Sequence, residues 1–203
     1  IEIQQEIIKI LDSFAELEAE LEAELEARKK QYDYYRDALF MTTNNVPLVK
    51  IDKLASCIAG ATPKTTEKDY WEGGTIPWMS SGEVNYGEVK FTEKKITQKG
   101  YDSSSTKLVP PNAVVMALAG QGKTRGMVAI TRIELCTNQS LCSIITNNQI
   151  NPQYLYYYLK SRYADLRRIS SGDGTRGGLN LTMIKNYEIP VPSIKEQEQI
   201  VAI

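Results

Sequence analysis

Residues 3–39 read IQQEIIKILDSFAELEAELEAELEARKKQYDYYRDAL, and this stretch determines how the rest of the chain is organised. It contains no glycine or proline, and its middle consists almost entirely of leucine, alanine and glutamate. These residues are strong helix formers. The stretch therefore predicts one continuous helix, which at about 1.5 Å per residue would be roughly 55 Å long.

Apolar side chains recur along this helix at intervals of four and three residues, as in a coiled coil. Two successive intervals of four between Leu17 and Leu25 interrupt the heptad and would locally unwind a left-handed supercoil. A solvated spacer helix is the alternative, but the apolar stripe is too regular for a purely polar surface. We expect a second helix to cover a coiled-coil interface made of Ile7, Ile10, Phe14, Leu17, Leu21, Leu25, Tyr32 and Tyr35.

Charge is unevenly distributed along the 203 residues, which leave room for the helix and one globular domain. Residues 1–40 contain eleven acidic and five basic side chains, whereas residues 41–203 contain fourteen acidic and nineteen basic ones. An acidic helix is thus joined to a basic domain. This asymmetry hints at a polyanionic partner for the domain.

The chain has no histidine and three cysteines, Cys57, Cys136 and Cys142, without the close spacing of metal ligands. This composition argues against a zinc site, excludes a histidine-based triad and fits a reducing compartment. No apolar run of membrane length and no signal peptide is evident. The sequence therefore predicts a cytoplasmic protein that does not enter a membrane.

The segments after the helix predict a mixed α/β domain rich in strands and loops. Residues 42–47 resemble a linker, and residues 47–55 predict a short strand that leads into a helical turn. Residues 58–89 form a long segment rich in glycine and polar residues, in which Tyr70, Trp71 and Trp78 would anchor the loop on a core. Its polar residues, including Ser80, Ser81, Asn85 and Tyr86, are candidates for contact with a partner.

Strand patterns follow at residues 91–97, 113–119, 127–131 and 141–146. The second and third are joined by AGQGKTRG, residues 119–126, which is typical of a glycine-rich turn. We expect a hairpin there with Lys123 and Arg125 at its tip.

The same turn satisfies a permissive form of the phosphate-binding loop, ALAGQGKT at residues 117–124. In a true loop of this kind, GKT opens a helix whose amide groups hold the phosphates. Here a strand pattern follows instead, and no apolar strand ends in an acid that could hold magnesium. A nucleotide hydrolase that uses Lys123 is therefore a minor alternative.

A second partial motif is NPQY at residues 151–154, which is close to the NPPY type of motif in amino-methyltransferases. Helix capping accounts for this motif without a catalytic role, since Asn151 can cap a helix and Pro152 suits its first turn. Residues 154–169 predict a helix of sixteen residues, and no glycine-rich turn for a methyl donor accompanies it.

Arginines 162, 167 and 168 lie near the end of this predicted helix, and a glycine-rich loop with Arg176 and Asn180 follows. Cations in a last helical turn suit the helix dipole. The added loop nevertheless gathers guanidinium and amide groups, the chemistry that contacts phosphates and base edges. A nucleic-acid surface and simple charge capping both remain open from spacing alone.

The chain ends as a second copy of its own beginning. Residues 195–203, KEQEQIVAI, match residues 2–10, EIQQEIIKI, with Gln197 opposite Gln4 and Ile200 opposite Ile7. Nine residues make a short repeat. The implied order is long helix, globular domain, long helix.

Four quoted segments in this order resemble the DNA-specificity subunit of type I restriction-modification systems. They are GATPKTTEKDYWEGGTIPWMSSGEV (60–84), TNQSL (137–141), QYLYYYL (153–159) and SSGDGTRGGLNLTMIKNYEIPVPSIKEQEQIV (170–201). The resemblance implies a long coiled-coil spacer at 1–40, a target recognition domain at 41–190, and the start of a second spacer helix at 191–203. Full members carry two domains and two spacers, so this chain would be a half subunit that pairs with itself or a portion of a longer chain.

The resemblance also implies the function and the partners. The chain would recognise part of a split sequence in double-stranded DNA and would dock methyltransferase subunits, without catalysis of its own. S-adenosylmethionine would be bound by those subunits, and ATP with magnesium by restriction and translocase subunits. We expect the DNA-binding residues to be Ser81, Asn85, Tyr86, Gln121, Lys123, Thr124, Arg125, Arg176 and Asn180. A coiled-coil adaptor that binds only protein is the main alternative.

Overall fold

The structure is a computed structural model that describes residues 2–41, 46–120, 124–170 and 178–203. The chain divides into two compact units, Ile1–Thr42 and Thr43–Ile203. Helices and strands are both present, and a long helix comes first, so the predicted α+β class is confirmed.

The first unit contains one uninterrupted helix, α1 (Glu2–Met41), as the sequence predicts. Ion pairs one turn apart support it, including Lys30 to Glu26 at 2.7 Å and Arg28 to Glu24 at 3.5 Å. The eight side chains of the predicted coiled-coil interface are 49–63% exposed. The helix thus presents an apolar stripe to solvent.

The second unit contains the strands and six further helices among the described residues. The strands are β1 (Leu48–Lys50), β2 (Ala55–Ala59), β3 (Ile76–Met79), β4 (Glu88–Val89), β5 (Lys94–Ile96), β6 (Val114–Ala117), β7 (Val128–Thr131), β8 (Cys136–Thr137), β9 (Leu141–Thr146) and β10 (Glu188–Pro190). The helices are α2 (Ile51–Leu54), α3 (Gln98–Asp102), α4 (Pro152–Ser161), α5 (Tyr163–Ile169), α6 (Leu181–Asn186) and α7 (Ile194–Val201). Short 3₁₀ helices cover Lys68–Tyr70 and Ser81–Tyr86.

The described strands form three sheets. The largest has the order β2-β9-β6-β7-β4 and is antiparallel except that β4 runs parallel to β7. A second sheet has the order β5-β3-β8, in which β3 and β8 are parallel. Strands β1 and β10 pair antiparallel, with Val49 opposite Ile189.

The core lies around the middle of the largest sheet. Strands β6 and β7 are buried along their whole length, and so are the first four residues of β9. A strand that is covered on both faces is mainly apolar along its length, and the buried polar exceptions here are Thr131 in β7 and Ser143 in β9. This explains why the sequence shows continuous apolar runs there rather than an alternating pattern, and those predicted strands and their hairpin are confirmed.

Two sequence predictions about local structure were wrong. Residues 76–79 were expected in a long loop, but they form β3 because Ile76 pairs with Ile96 and Trp78 is buried with its indole N–H bonded to the Ala61 carbonyl at 3.0 Å. The helix expected at 154–169 breaks at Arg162, whose φ of −92° and ψ of 16° leave the helical region. The Arg162 N–H is shared between the carbonyls of residues 158 and 159, which tightens the last turn of α4.

The N-terminus of α4 is capped as the sequence predicts. The Asn151 side chain accepts from the backbone N–H groups of Gln153 at 2.8 Å and Tyr154 at 3.3 Å. Gln197, in α7, is fully buried beside this cap, and its side-chain oxygen accepts from the Asn151 N–H at 2.7 Å. The NPQY segment is thus a helix start in this fold.

Candidate nucleic-acid interface

Several strand ends of the second unit meet at one edge, which we call the strand-end edge. Ala59, at the end of β2, lies opposite Cys142 at the start of β9. Ala117, at the end of β6, lies opposite Leu141. The parallel strands β3 and β8 also end there, because the turn of residues 138–140 leads from β8 directly into β9.

The strand-end edge also holds the described residues that flank both glycine-rich basic segments. The Leu118 N–H donates to the Ser140 carbonyl at 2.8 Å, and the Leu118 carbonyl accepts from the Leu179 N–H at 2.8 Å. The residues before segment 121–123 and after segment 171–177 are therefore adjacent. Gln121, Lys123 and Arg176 belong to those two segments and lie outside the described residues.

A cleft of about 660 Å³ opens at this edge. Polar side chains line it together with apolar ones, and none of its described lining residues is acidic. Asn180 is exposed on its rim and caps α6, since its side-chain oxygen accepts from the Met183 N–H at 2.9 Å. The polar lining residues are Gln139, Ser140, Asn180 and Thr182.

The two described residues of the predicted hairpin tip differ in exposure. The Met127 N–H donates to the Thr124 carbonyl at 2.8 Å, and the Gly126 N–H donates to the Ala117 carbonyl at 2.9 Å. These bonds place Arg125 at the root of the hairpin rather than at its tip. Arg125 is only 7% exposed, whereas Thr124 is half-buried.

The predicted contacts in the aromatic loop are only partly gathered at this edge. Ser81 begins the 3₁₀ helix directly after β3, where the buried Glu83 carboxylate accepts from the Ser80 and Glu93 N–H groups. The Asn85 side-chain amide donates to the Gly82 carbonyl at 2.8 Å. Ser81 is thus near the strand-end edge, and Asn85 closes its own turn.

Tyr86 is engaged elsewhere. Its hydroxyl donates to the Glu93 carboxylate at 2.6 Å, and its ring lies 5.5 Å from that of Phe91. The hydrogen bond to Glu93 raises the pKa of Tyr86 to about 12, because the carboxylate favours the protonated phenol. The Tyr86 side chain is therefore held by contacts with Phe91 and Glu93, which follow it closely in the chain.

Sequence reasoning missed two residues at the strand-end edge, Thr62 and Gln139. Both lie in segments that carried the family resemblance, but neither was singled out for its chemistry. The Thr62 hydroxyl donates to the side-chain oxygen of Gln139, although the two residues are 77 positions apart. No local pattern signals such a contact.

Other kinds of site find no support in the part of the chain that the structure describes. No group of three or more metal-ligating side chains occurs there. No helix there has the length and apolar character needed to cross a bilayer. Residues 124–127 lead into strand β7, not into the helix that a phosphate-binding loop requires.

Comparison with known proteins agrees with the resemblance to type I specificity subunits that the sequence shows. The family model described as "Type I restriction modification DNA specificity domain" matches residues 44–203. This chain belongs to that family. The specificity domain of this family therefore covers the whole second unit that the structure describes.

Individual relatives lead to the same family. The chain is 34% identical over 204 residues to the type I restriction enzyme EcoR124I/EcoR124II specificity subunit of Escherichia coli, a match that covers 99% of the chain. That match covers 50% of the relative, so the chain spans half the length of that specificity subunit.

Solved specificity-subunit structures share the fold. The HsdS subunit of Thermoanaerobacter tengcongensis superposes with a TM-score of 0.61 at 18% identity, over 93% of this chain and 47% of that one. The S subunit of M. genitalium gives 0.64 at 15% identity, over 87% and 46%. The long helix followed by a mixed domain is therefore a shared architecture.

Proposed function

We propose that this chain is a DNA-reading part of a type I specificity subunit and has no catalytic activity of its own. The strand-end edge carries this proposal. It combines an acid-free cleft with exposed amides, and the described flanks of two basic glycine-rich segments meet there. Such a surface suits the phosphate backbone and base edges of one half of a split target sequence.

The proposed interface consists of the DNA-binding residues that were expected from the sequence, and these residues would differ from one another in what they contact. Lys123 and Arg176 would neutralise phosphates, whereas Asn180, Gln121 and Thr124 would contact base edges or sugars. Ser81 and Asn85 would extend the surface from the aromatic loop, and Tyr86 would pack at its margin. Arg125 would support the hairpin from its buried position. It would contact the DNA backbone only at the edge of the proposed interface.

Helix α1 would act as the spacer that separates two recognition domains. Its exposed apolar stripe supports pairing with another helix, and in a half subunit that helix would come from a second copy. We place the spacer at 1–40, the recognition domain at 41–190 and the start of the next spacer at 191–203. The spacer pair would also dock the methyltransferase subunits.

In the assembled system the catalytic reactions would be carried out by the partner subunits. Methyltransferase subunits would bind S-adenosylmethionine, and restriction subunits would use ATP and magnesium. The protein would work in the cytoplasm, where its DNA target is found. Its own contribution would be to fix which sequence the partners reach.

A selection experiment tests the proposal. The chain is incubated with DNA duplexes that have a randomised core, and the bound fraction is sequenced at several salt concentrations. We expect one half-site motif to be enriched and the logarithm of the affinity to fall linearly with the logarithm of the salt concentration. The absence of any salt-dependent binding to the duplexes would instead favour the protein-only adaptor.

A further inference from the structure

The turn between β8 and β9 presents one glutamine from a rigid frame. The Asn138 carbonyl accepts from the Leu141 N–H at 3.2 Å, and the Asn138 side chain accepts from the Ser140 N–H at 3.0 Å. The Asn138 N–H is itself bonded to the Met79 carbonyl at 3.1 Å. Gln139 is therefore exposed on a backbone held by bonds at both ends of the turn.

A second segment fixes the direction of the Gln139 side chain. The Thr62 hydroxyl donates to its carboxamide oxygen. Thr62 is in turn held close to β8, because the Ala61 N–H donates to the Thr137 carbonyl at 2.9 Å. A side chain at the position of Gly60 would start 1.9 Å from that same carbonyl, so the two segments touch through backbone.

The oriented carboxamide still has hydrogen-bonding capacity. A carbonyl oxygen has two lone pairs, and Thr62 occupies one of them. Among the described residues, no side chain or carbonyl accepts from the Gln139 amide nitrogen. One acceptor site and the amide donors are thus available side by side, at a cleft whose described lining carries no negative charge.

On the basis of the proposed function, we infer that Gln139 reads an adenine in the major groove and that Thr62 positions it. A glutamine carboxamide matches adenine in two places, because its nitrogen donates to N7 while its oxygen accepts from N6. The carboxamide oxygen can accept from Thr62 and from adenine N6 together, because it has two lone pairs. An oriented side chain also loses less rotamer entropy on binding.

The test is the same duplex selection, performed with the full chain and with variants. In Gln139→Ala, we expect discrimination for adenine at one motif position to fall about 5- to 150-fold, while the other positions keep their preference. Thr62→Ala should weaken the preference at that same position, and Thr62→Ser should restore it. A merely structural role of Thr62 would lower stability without changing the preference at a single base.

Gln139→Glu is a second test, which keeps the length of the side chain and changes only its hydrogen-bonding groups. A carboxylate cannot donate to adenine N7 but can accept from the amino group of cytosine. We expect the preferred base at that position to change from adenine to cytosine. Gln149→Ala is the matched control, because Gln149 is an exposed glutamine in the turn at the other end of β9.

The outcomes separate the two proposals. If the wild-type chain enriches a motif, and folded Gln139→Ala and Gln139→Glu enrich the same motif with unchanged preferences, the assignment of Gln139 is wrong and the DNA-reading function stands. If the wild-type chain enriches no motif at all, the DNA-reading function fails and the assignment of Gln139 fails with it. Thermal melting of each variant verifies that it is folded.

Discussion

At the scale of single residues, Gln197 shows how a buried polar side chain can join two elements. Its oxygen accepts from the Asn151 N–H, and its nitrogen donates to the carbonyls of Pro192 at 2.8 Å and Gln149 at 3.2 Å. Both amide N–H groups and one lone pair of the oxygen are therefore used inside the fold. The side chain ties α7 to the start of α4.

We expect Gln197→Ala to lower the free energy of unfolding by about 2–4 kcal/mol, because it leaves buried backbone groups without partners. Chemical denaturation followed by circular dichroism measures this loss. Gln199→Ala, an exposed position on the same helix, should change the stability little. Equal effects of the two substitutions would mean that the bonds of Gln197 contribute nothing.

Lys123 and Arg125 were both expected at a hairpin tip, and the burial of Arg125 now separates them. We expect Lys123→Ala to weaken binding to all duplexes equally and to reduce the salt slope by about one, without changing the melting temperature. Arg125→Ala should cost about 1–3 kcal/mol of stability, because it removes a buried side chain. Salt titrations and thermal melts test the pair, and unchanged melting of Arg125→Ala would contradict the structural role.

At the scale of elements, Gly60 lets the end of β2 contact β8. A Cβ atom there would lie 1.9 Å from the Thr137 carbonyl oxygen, which cannot move without disturbing its strand. We expect Gly60→Ala to destabilise the protein by about 1–3 kcal/mol through overpacking. Gly82→Ala is the control, since among the described residues no atom beyond its chain neighbours lies within 4 Å of its Cβ position. Similar melting temperatures of the two variants would refute the close contact.

The first turn of α7 gives a prediction about pH. The Ser193 hydroxyl and backbone N–H both donate to Glu196, at 2.7 and 2.9 Å, and these bonds lower the pKa of the Glu196 carboxyl below its ordinary value of 4.5. A lowered pKa in the folded state means that the stabilisation is present above the unfolded-state pKa. It is lost as the pH falls through the folded-state pKa.

Hydrogen exchange of the α7 amides should therefore accelerate below about pH 4, relative to the intrinsic rate. In Glu196→Gln this added acid sensitivity should disappear, because the amide does not titrate. Exchange in α4, whose cap is an asparagine, is the internal reference. The same acid sensitivity in the variant would show that another group is responsible.

Elements with a strong local pattern could be predicted from the sequence. Helix α1 has apolar side chains at intervals of three and four residues and no glycine or proline, and β6, β7 and β9 are mainly apolar because they lie in the middle of the sheet. Strands β4 and β8 have two residues each and exist only through pairing with distant strands. Such short elements have no periodicity of their own, so no sequence pattern could indicate them.

The candidate site shows the same limit. Its chemistry of glycine, amide and basic side chains could be predicted from composition and order. The contact between Thr62 and Gln139 could not, because it depends on how β2 and β8 meet in space. Arg125 was misplaced for the related reason that a turn sequence does not show where the ladder ends.

At the scale of the whole molecule, an exposed apolar stripe on a 40-residue helix calls for a partner helix. We expect the chain to self-associate through this stripe. The double variant Leu17→Glu, Leu21→Glu should prevent the association, because it places charged side chains in the buried interface between the two helices. Light scattering measures the mass. The control places glutamates at Ala19 and Ala23, about 200° around the helix from those leucines.

Two outcomes would contradict pairing through this stripe. The wild-type chain could be monomeric at all concentrations, or both double variants could associate equally well. In each case the spacer role of α1 would lose its support, whereas the DNA-reading role of the second unit would be unaffected. Circular dichroism verifies that the variant helices still form.

The hydrogen bond from the Leu179 N–H to the Leu118 carbonyl also has a consequence for the two glycine-rich segments. The backbone that enters one glycine-rich segment is hydrogen-bonded to the backbone that leaves the other, so we expect a substitution in one segment to affect the other. Base preferences set by the two segments should therefore be energetically coupled, and substitutions in both should show epistasis. Exchanging one segment between relatives would then change a target sequence at more positions than that segment touches.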